Sequence, residues 1–136
     1  MASKVDPWLI AFVLPSSPES VRIARFHVRA TLGFHGLGEY ANDAEIITSE
    51  LVTNAVQHVC GNGLETIEVT LACAPRPAAV TLTVSDSSPE GPIRRDASAD
   101  SPQGRGLQIV DALSAHWGWQ QQKDGKAIFA TLARQA

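Results

Sequence analysis

The sequence predicts an α/β protein of the α+β kind: a two-layer sandwich in which a mixed, mostly antiparallel sheet is covered on one face by about three helices. Three observations lead there. Residues 67–73 and 80–84 place apolar side chains at every second position, the period of a strand with one buried face. Residues 21–32 and 46–59 repeat apolar side chains at helical spacing. The order of elements is strand, two helices, two strands, a long polar loop, a short helix and two closing strands.

Each element follows from local chemistry. Residues 1–7 form a loose tail, and residues 8–136 a single domain. Trp8 to Leu14 is a short apolar run ending at Pro15, long enough for a buried strand. Ser17, Pro18 and Glu19 predict a helix start: a capping hydroxyl, a proline where no amide partner is needed, and an acid near the positive helix end. Val21, Ala24, Val28 and Leu32 form the buried stripe of that helix, with Arg22, Arg25 and Arg29 alongside, and Gly33 and Gly36 end it. A second helix is expected from Asn42, whose spacing to Glu45 is that of a capping box, as far as Gly61-Asn62-Gly63. Pro75-Arg76-Pro77 turns the chain between the two alternating segments, which are expected to form an antiparallel hairpin. Residues 87–103 hold almost no large apolar side chain and read as a mobile loop. Leu107, Val110 and Leu113 mark a short helix opening at Gly104-Arg105-Gly106. Trp117 to Gln121 and Ala127 to Leu132 are the closing strands, joined at Asp124-Gly125, with Trp117 and Trp119 packing on the sheet.

Composition narrows the function classes. The chain has 136 residues, 44% hydrophobic and 18% charged, which suits one globular core rather than a disordered chain. A net charge of -3 offers no broad basic field to nucleic acid or anionic lipid. No apolar run is long enough for a membrane span, so a cytoplasmic protein is expected. Cys60 and Cys73 lack the spacing of metal ligands and read as buried or semi-buried thiols in a reducing compartment. His27, His35 and His116 are scattered, and structural or surface roles are expected of them rather than metal binding.

Three places can carry chemistry. Glu50, Asn54 and His58 recur every fourth residue of the second helix, within an arc of roughly 80° that borders its apolar face. Polar groups so placed need partners, either neighbouring backbone or a ligand. Asp86 ends an apolar strand, where its carboxylate serves either to cap a turn or to accept a hydrogen bond from an exocyclic amine such as that of adenine. Gly104 and Gly106 open a helix after a flexible loop, as an ordinary glycine turn or as a phosphate cradle with free amides and a partial positive charge.

The order of these features carries a family resemblance. Ser49-Glu50-Leu51-Val52-Thr53-Asn54-Ala55-Val56-Gln57-His58 resembles the N box of the GHKL, or Bergerat-fold, ATPases: gyrase, chaperone, histidine-kinase and mismatch-repair enzymes. Within them the chain is most similar to the bacterial anti-sigma-factor serine/threonine kinases and their stand-alone relatives. Val84-Ser85-Asp86 resembles the strand end with the adenine-binding aspartate, and Gly104-Arg105-Gly106-Leu107 the second glycine box. Gly125 to Leu132 resembles the closing strand, with Thr131 at its polar position. The first glycine box departs from the pattern: Asp86-Ser87-Ser88-Pro89 stands where the family commonly has glycines.

The resemblance implies ATP and Mg2+ as ligands. Glu50 would be the catalytic base that orients a water or substrate hydroxyl, and Asn54 the magnesium ligand. Asp86 would recognise the adenine amine, in preference to guanine, whose carbonyl oxygen would face the carboxylate. Gly104, Gly106 and Leu107 would line the phosphate region with Arg105 near the terminal phosphates, and His58 and Thr131 would line the site. Residues 87–103 would form a nucleotide lid. The function so implied is a serine/threonine kinase that phosphorylates an anti-sigma antagonist and binds it or a sigma factor directly, with a homodimer formed partly through the early part of the domain. A nucleotide-dependent binding switch without transfer, and a detached histidine-kinase-like catalytic domain, are the alternatives.

Overall fold

The computed structural model describes residues 7–57, 65–75, 78–88 and 102–133. Five strands and three α-helices follow one another as β1 (Trp8–Pro15), α1 (Glu19–Phe34), α2 (Ala41–Gln57), β2 (Thr66–Pro75), β3 (Ala78–Asp86), α3 (Pro102–Leu113), β4 (His116–Gln122) and β5 (Gly125–Ala133). A single 3-10 turn, Gly38–Tyr40, leads into α2. The sheet order is β1-β2-β3-β5-β4, and every neighbouring pair is antiparallel. Among the described strands the sheet is wholly antiparallel, where a mixed, mostly antiparallel one was expected.

The register fixes which side chains share a face. Leu82 stands opposite Leu71 and Ala130, and Val84 opposite Val69 and Ile128. All of them are buried under the helices, in one cluster with Ala24, Val28 and Leu32 of α1 and Ile47, Leu51, Val52 and Ala55 of α2. The alternate residues Thr70, Thr81, Thr83 and Ser85 stand on the other face, half-exposed. Cys73 joins the buried cluster, and burial pushes its thiol pKa up.

Helix starts differ from expectation. The Ser17 hydroxyl caps no amide of α1, and Ser20 ties the helix start to β1 by donating to the Pro15 carbonyl at 2.6 Å. Asn42 and Glu45 form no capping box, because the 3-10 turn moves the start of α2 to Ala41. Both side chains instead reach Arg29 of α1: its Nη2 donates to Asn42 Oδ1 at 2.6 Å and its Nε to Glu45 Oε2 at 2.8 Å. α3 begins at Pro102, so Gly104-Arg105-Gly106 lies in its first two turns and not ahead of it. Proline suits such a first position, where the amide has no helical partner.

The aromatic residues settle as packing groups. Trp117 packs against the core and donates from Nε1 to Asp111 Oδ1 at 3.0 Å, whereas Trp119 is 44% exposed. His35 stacks on Trp8 with ring centroids 4.2 Å apart, His27 lies beside Phe12, and His116 meets Phe129 edge-on. No described helix is long and apolar enough to cross a membrane.

Candidate functional site

α2 packs on both α3 and β3, so it adjoins the two elements that carry the other sequence-predicted residues. Its buried stripe is Ala41, Ala44, Ile47, Thr48, Leu51, Val52 and Ala55. Glu50 and Asn54 flank that stripe one turn apart, each half-buried. Partial burial raises the Glu50 pKa above the ordinary carboxylate range, because a charged carboxylate loses hydration there. A raised pKa suits a proton acceptor that must also release the proton again. The Asn54 Oδ1 is sealed from solvent. An amide oxygen and a carboxylate on adjacent turns are hard donors of the kind Mg2+ takes, so the residues present fit that ion. His58 lies outside the described residues, as do residues 89–101 of the expected lid.

Asp86, the last residue of β3, is buried rather than open to a ligand on all sides. Its Oδ1 accepts the Ser88 amide at 2.8 Å, closing a tight turn immediately after the strand. Both of its oxygens also meet Lys126: Nζ stands 2.9 Å from Oδ2 and 3.1 Å from Oδ1. The side chains are 0% exposed for Lys126 and 1% for Asp86. The contact follows from register, since Asp86 stands directly opposite Lys126 across the β3–β5 ladder and both point to the helix-covered face. Gly125 permits the close approach. Its φ is +154°, and a Cβ there would overlap the Asp86 carbonyl oxygen.

Lys126 is the residue that the motif reading missed. A signal existed: it lies two, four and six residues before Ile128, Ala130 and Leu132, so strand alternation puts a cation on an apolar face. Such a group must be paired. Thr131, by contrast, lies on the opposite face of β5 from Lys126. It stands opposite Thr81, and their hydroxyls are 3.0 Å apart. Strand parity therefore separates Thr131 from Asp86. Gly104, Arg105 and Gly106 are described only as helical backbone, and Leu107 is buried at the α3 end of the core. The free amides of a helix start thus sit near residues 103–105, Pro102 having none.

Residues 14–132 match the family model described as histidine kinase-like ATPase domain. The chain belongs to the histidine kinase-like ATPase domain family. The antiparallel sheet with three helices is the fold of this ATPase domain. Among solved structures, a match spans 93% of the chain and 32% of the RsbU and RsbW domains of Rv1364c from Mycobacterium tuberculosis, at 21% identity and a TM-score of 0.71. A second spans 71% of the chain and 45% of the histidine kinase domain of the Erythrobacter litoralis EL346 blue-light activated histidine kinase, at 20% identity and a TM-score of 0.53. The chain thus spans less than half the length of either structure. At these identities the likeness is one of fold. No curated protein sequence matches the chain.

Proposed function

We propose that this ATPase domain binds Mg-ATP and transfers its terminal phosphoryl group to a serine or threonine of a partner protein, in the manner of an anti-sigma-factor kinase. The observation that carries the reading is Glu50: a carboxylate with a raised pKa, one turn from Asn54 on the helix that adjoins β3 and α3. A protein that only held nucleotide would have no use for a base there.

Phosphoryl transfer needs positioning and charge neutralisation more than covalent chemistry. Glu50 would orient the substrate hydroxyl and take its proton. Asn54 would hold the magnesium ion, which supplies neutralising charge to the phosphates when bound. The first turns of α3, with Gly104 and Gly106 allowing close backbone approach and Arg105 beside them, would receive the phosphates. Asp86 would read the base at the end of β3. The likeness to a chain containing an RsbW domain supports a protein partner, read here as an anti-sigma antagonist or a sigma factor; a cytoplasmic protein without direct contact to nucleic acid or membrane belongs to the same reading. A homodimer through the early part of the domain belongs to the same reading.

One observation favours a second reading, a nucleotide-dependent binding switch without transfer: the base-reading carboxylate is already held by Lys126, beside a turn that lacks the usual glycines. Incubating the purified protein with γ-labelled Mg-ATP and a candidate antagonist separates the two. Label on an antagonist serine, lost in Glu50→Gln, supports the kinase. Nucleotide-dependent complex formation without label supports the switch.

A further inference from the structure

We infer that β1 is the edge through which two copies of this chain pair, antiparallel and in register about Ala11; this deepens the homodimer of the preceding reading and is independent of nucleotide binding and phosphoryl transfer.

β1 is the end strand of the sheet, so one of its edges has no neighbouring strand among the described residues. Proteins commonly guard such an edge with charges, bulges or a covering segment. Residues 7–15, Pro-Trp-Leu-Ile-Ala-Phe-Val-Leu-Pro, carry no charge, and β1 pairs with β2 without a bulge from Trp8 to Pro15. Exposed apolar side chains gather around it. Apart from Ile46 and Trp119, every exposed large apolar side chain among the described residues lies on β1 or α1: Leu9, Val13, Ile23, Phe26 and Phe34.

Hydrogen-bond parity decides which residues face outward. The Ser16 amide donates to the Glu65 carbonyl at 2.9 Å, on the β2 side. In an antiparallel strand successive residues turn amide and carbonyl to opposite sides. Trp8, Ile10, Phe12 and Leu14 therefore bond to β2, while Leu9, Ala11 and Val13 offer amide and carbonyl to the free edge. Pro7 and Pro15 share the outward parity and have no amide to offer. A proline thus bounds the edge at each end.

This edge is complementary to itself. About a two-fold axis at Ala11, Ala11 faces Ala11 of the second copy, Leu9 faces its Val13, and Pro7 faces its Pro15. Leu9, Ala11 and Val13 then all exchange both of their bonds, and the prolines oppose each other. An axis at Leu9 or Val13 would set Ala11 against a proline and lose a bond. Leu9 and Val13 make an apolar cross-strand pair, and no like charges meet. The helix layer agrees. α1 lies over β1, with ring centroids of His27 and Phe12 5.2 Å apart and those of His35 and Trp8 4.2 Å apart. At about 100° per residue, Ile23 and Phe34 share the flank of α1 that carries His27. Edge pairing brings that flank toward α1 of the second copy, whereas Arg29 is turned the other way, onto α2.

Analytical ultracentrifugation of the full chain is expected to give a dimer of the 14.5 kDa protomer. Ala11 is exposed, and Ala11→Lys places two cations face to face across the axis. It is expected to raise the dimer dissociation constant at least about tenfold, with an unchanged circular dichroism spectrum. Cysteine cross-linking reads the register. Facing Ala11 residues would have Cα atoms about 5.5 Å apart, within disulfide range, whereas Val13 would lie about 14 Å from Val13 of the second copy. In a Cys60→Ala background, Ala11→Cys is expected to oxidise to a linked dimer and Val13→Cys to stay monomeric under denaturing electrophoresis. A monomer at every concentration overturns the inference, as does a folded Ala11→Lys protein that dimerises as well as the parent. A dimer in which Val13→Cys links as readily as Ala11→Cys overturns it too. Should Ala11→Lys not fold, the two cysteine variants decide. None of these outcomes touches the kinase reading, which the transfer of label tests separately.

Discussion

Two glutamates five residues apart on α2 behave in opposite ways. Glu45 sits on the outer seam between α1 and α2, where a hydrogen bond from Arg29, reinforced by its charge, holds the carboxyl below the ordinary range. Glu50 sits beside the buried stripe with no compensating cation among the described residues, and burial raises its pKa. The same contrast separates the exposed Arg29–Glu45 pair from the Asp86–Lys126 pair at the ends of β3 and β5. On the water side a charge is cheap and contributes little; on the helix-covered face it must be matched, or it becomes reactive. Glu50 and Asp86 both lie on the second side.

The sharpest way to break this comparison is to remove one buried charge. Lys126→Ala leaves Asp86 buried without its cation and is expected to cost about 3–5 kcal/mol, read by urea denaturation. The double variant Lys126→Met/Asp86→Leu is expected to recover most of that loss. A single variant as stable as the parent would show that water reaches the pair.

Next in size is the loss of the base. Glu50→Gln is expected to slow phosphoryl transfer by about 10²-fold or more while leaving calorimetric nucleotide binding intact. Full turnover in this variant would remove Glu50 from the mechanism. Asn54→Ala is expected to act the other way round, weakening nucleotide binding in magnesium and much less in EDTA. Equal loss in both would remove Asn54 as the ion's ligand.

Titration sharpens the contrast between the glutamates themselves. Carboxyl NMR is expected to show Glu50 titrating above the usual glutamate value of about 4.3, and Glu45 below it. The signs for stability are opposite. For Glu50, whose folded pKa is raised, the contribution is present below the unfolded pKa and is lost as pH rises through the folded pKa. Glu50→Gln is therefore expected to raise Tm at neutral pH and not in acid. For Glu45, whose folded pKa is lowered, the contribution is present above the unfolded pKa and lost as pH falls through the folded one. Coincident midpoints for the two glutamates would dissolve the comparison.

The smallest effect is expected at the outer seam. Arg29→Ala should shift stability by less than about a third of the Lys126→Ala effect, and less still in high salt. A loss as large as that of Lys126 would mean that the seam is less hydrated than its exposure indicates.

The sequence alone determined the order of the elements, because apolar periodicity is written into consecutive residues: Ile67, Val69 and Leu71 on one strand face, Ala24, Val28 and Leu32 on one helix face. It also determined Glu50 and Asn54 as neighbours, since positions four apart share a helix face whatever the rest of the chain does. It misjudged the start of α2, where Asn42 and Glu45 serve Arg29, a residue more than ten positions away that spacing could not supply. Thr131 and Lys126 show the remaining limit most clearly. Both lie on β5, but only the β3–β5 register decides that Lys126 meets Asp86 while Thr131 meets Thr81. A shift of one residue in that pairing would exchange the faces. The buried charge pair is therefore a product of tertiary structure: strand propensity is local, whereas the partner of a buried charge is chosen by which strand lies alongside, and in what register.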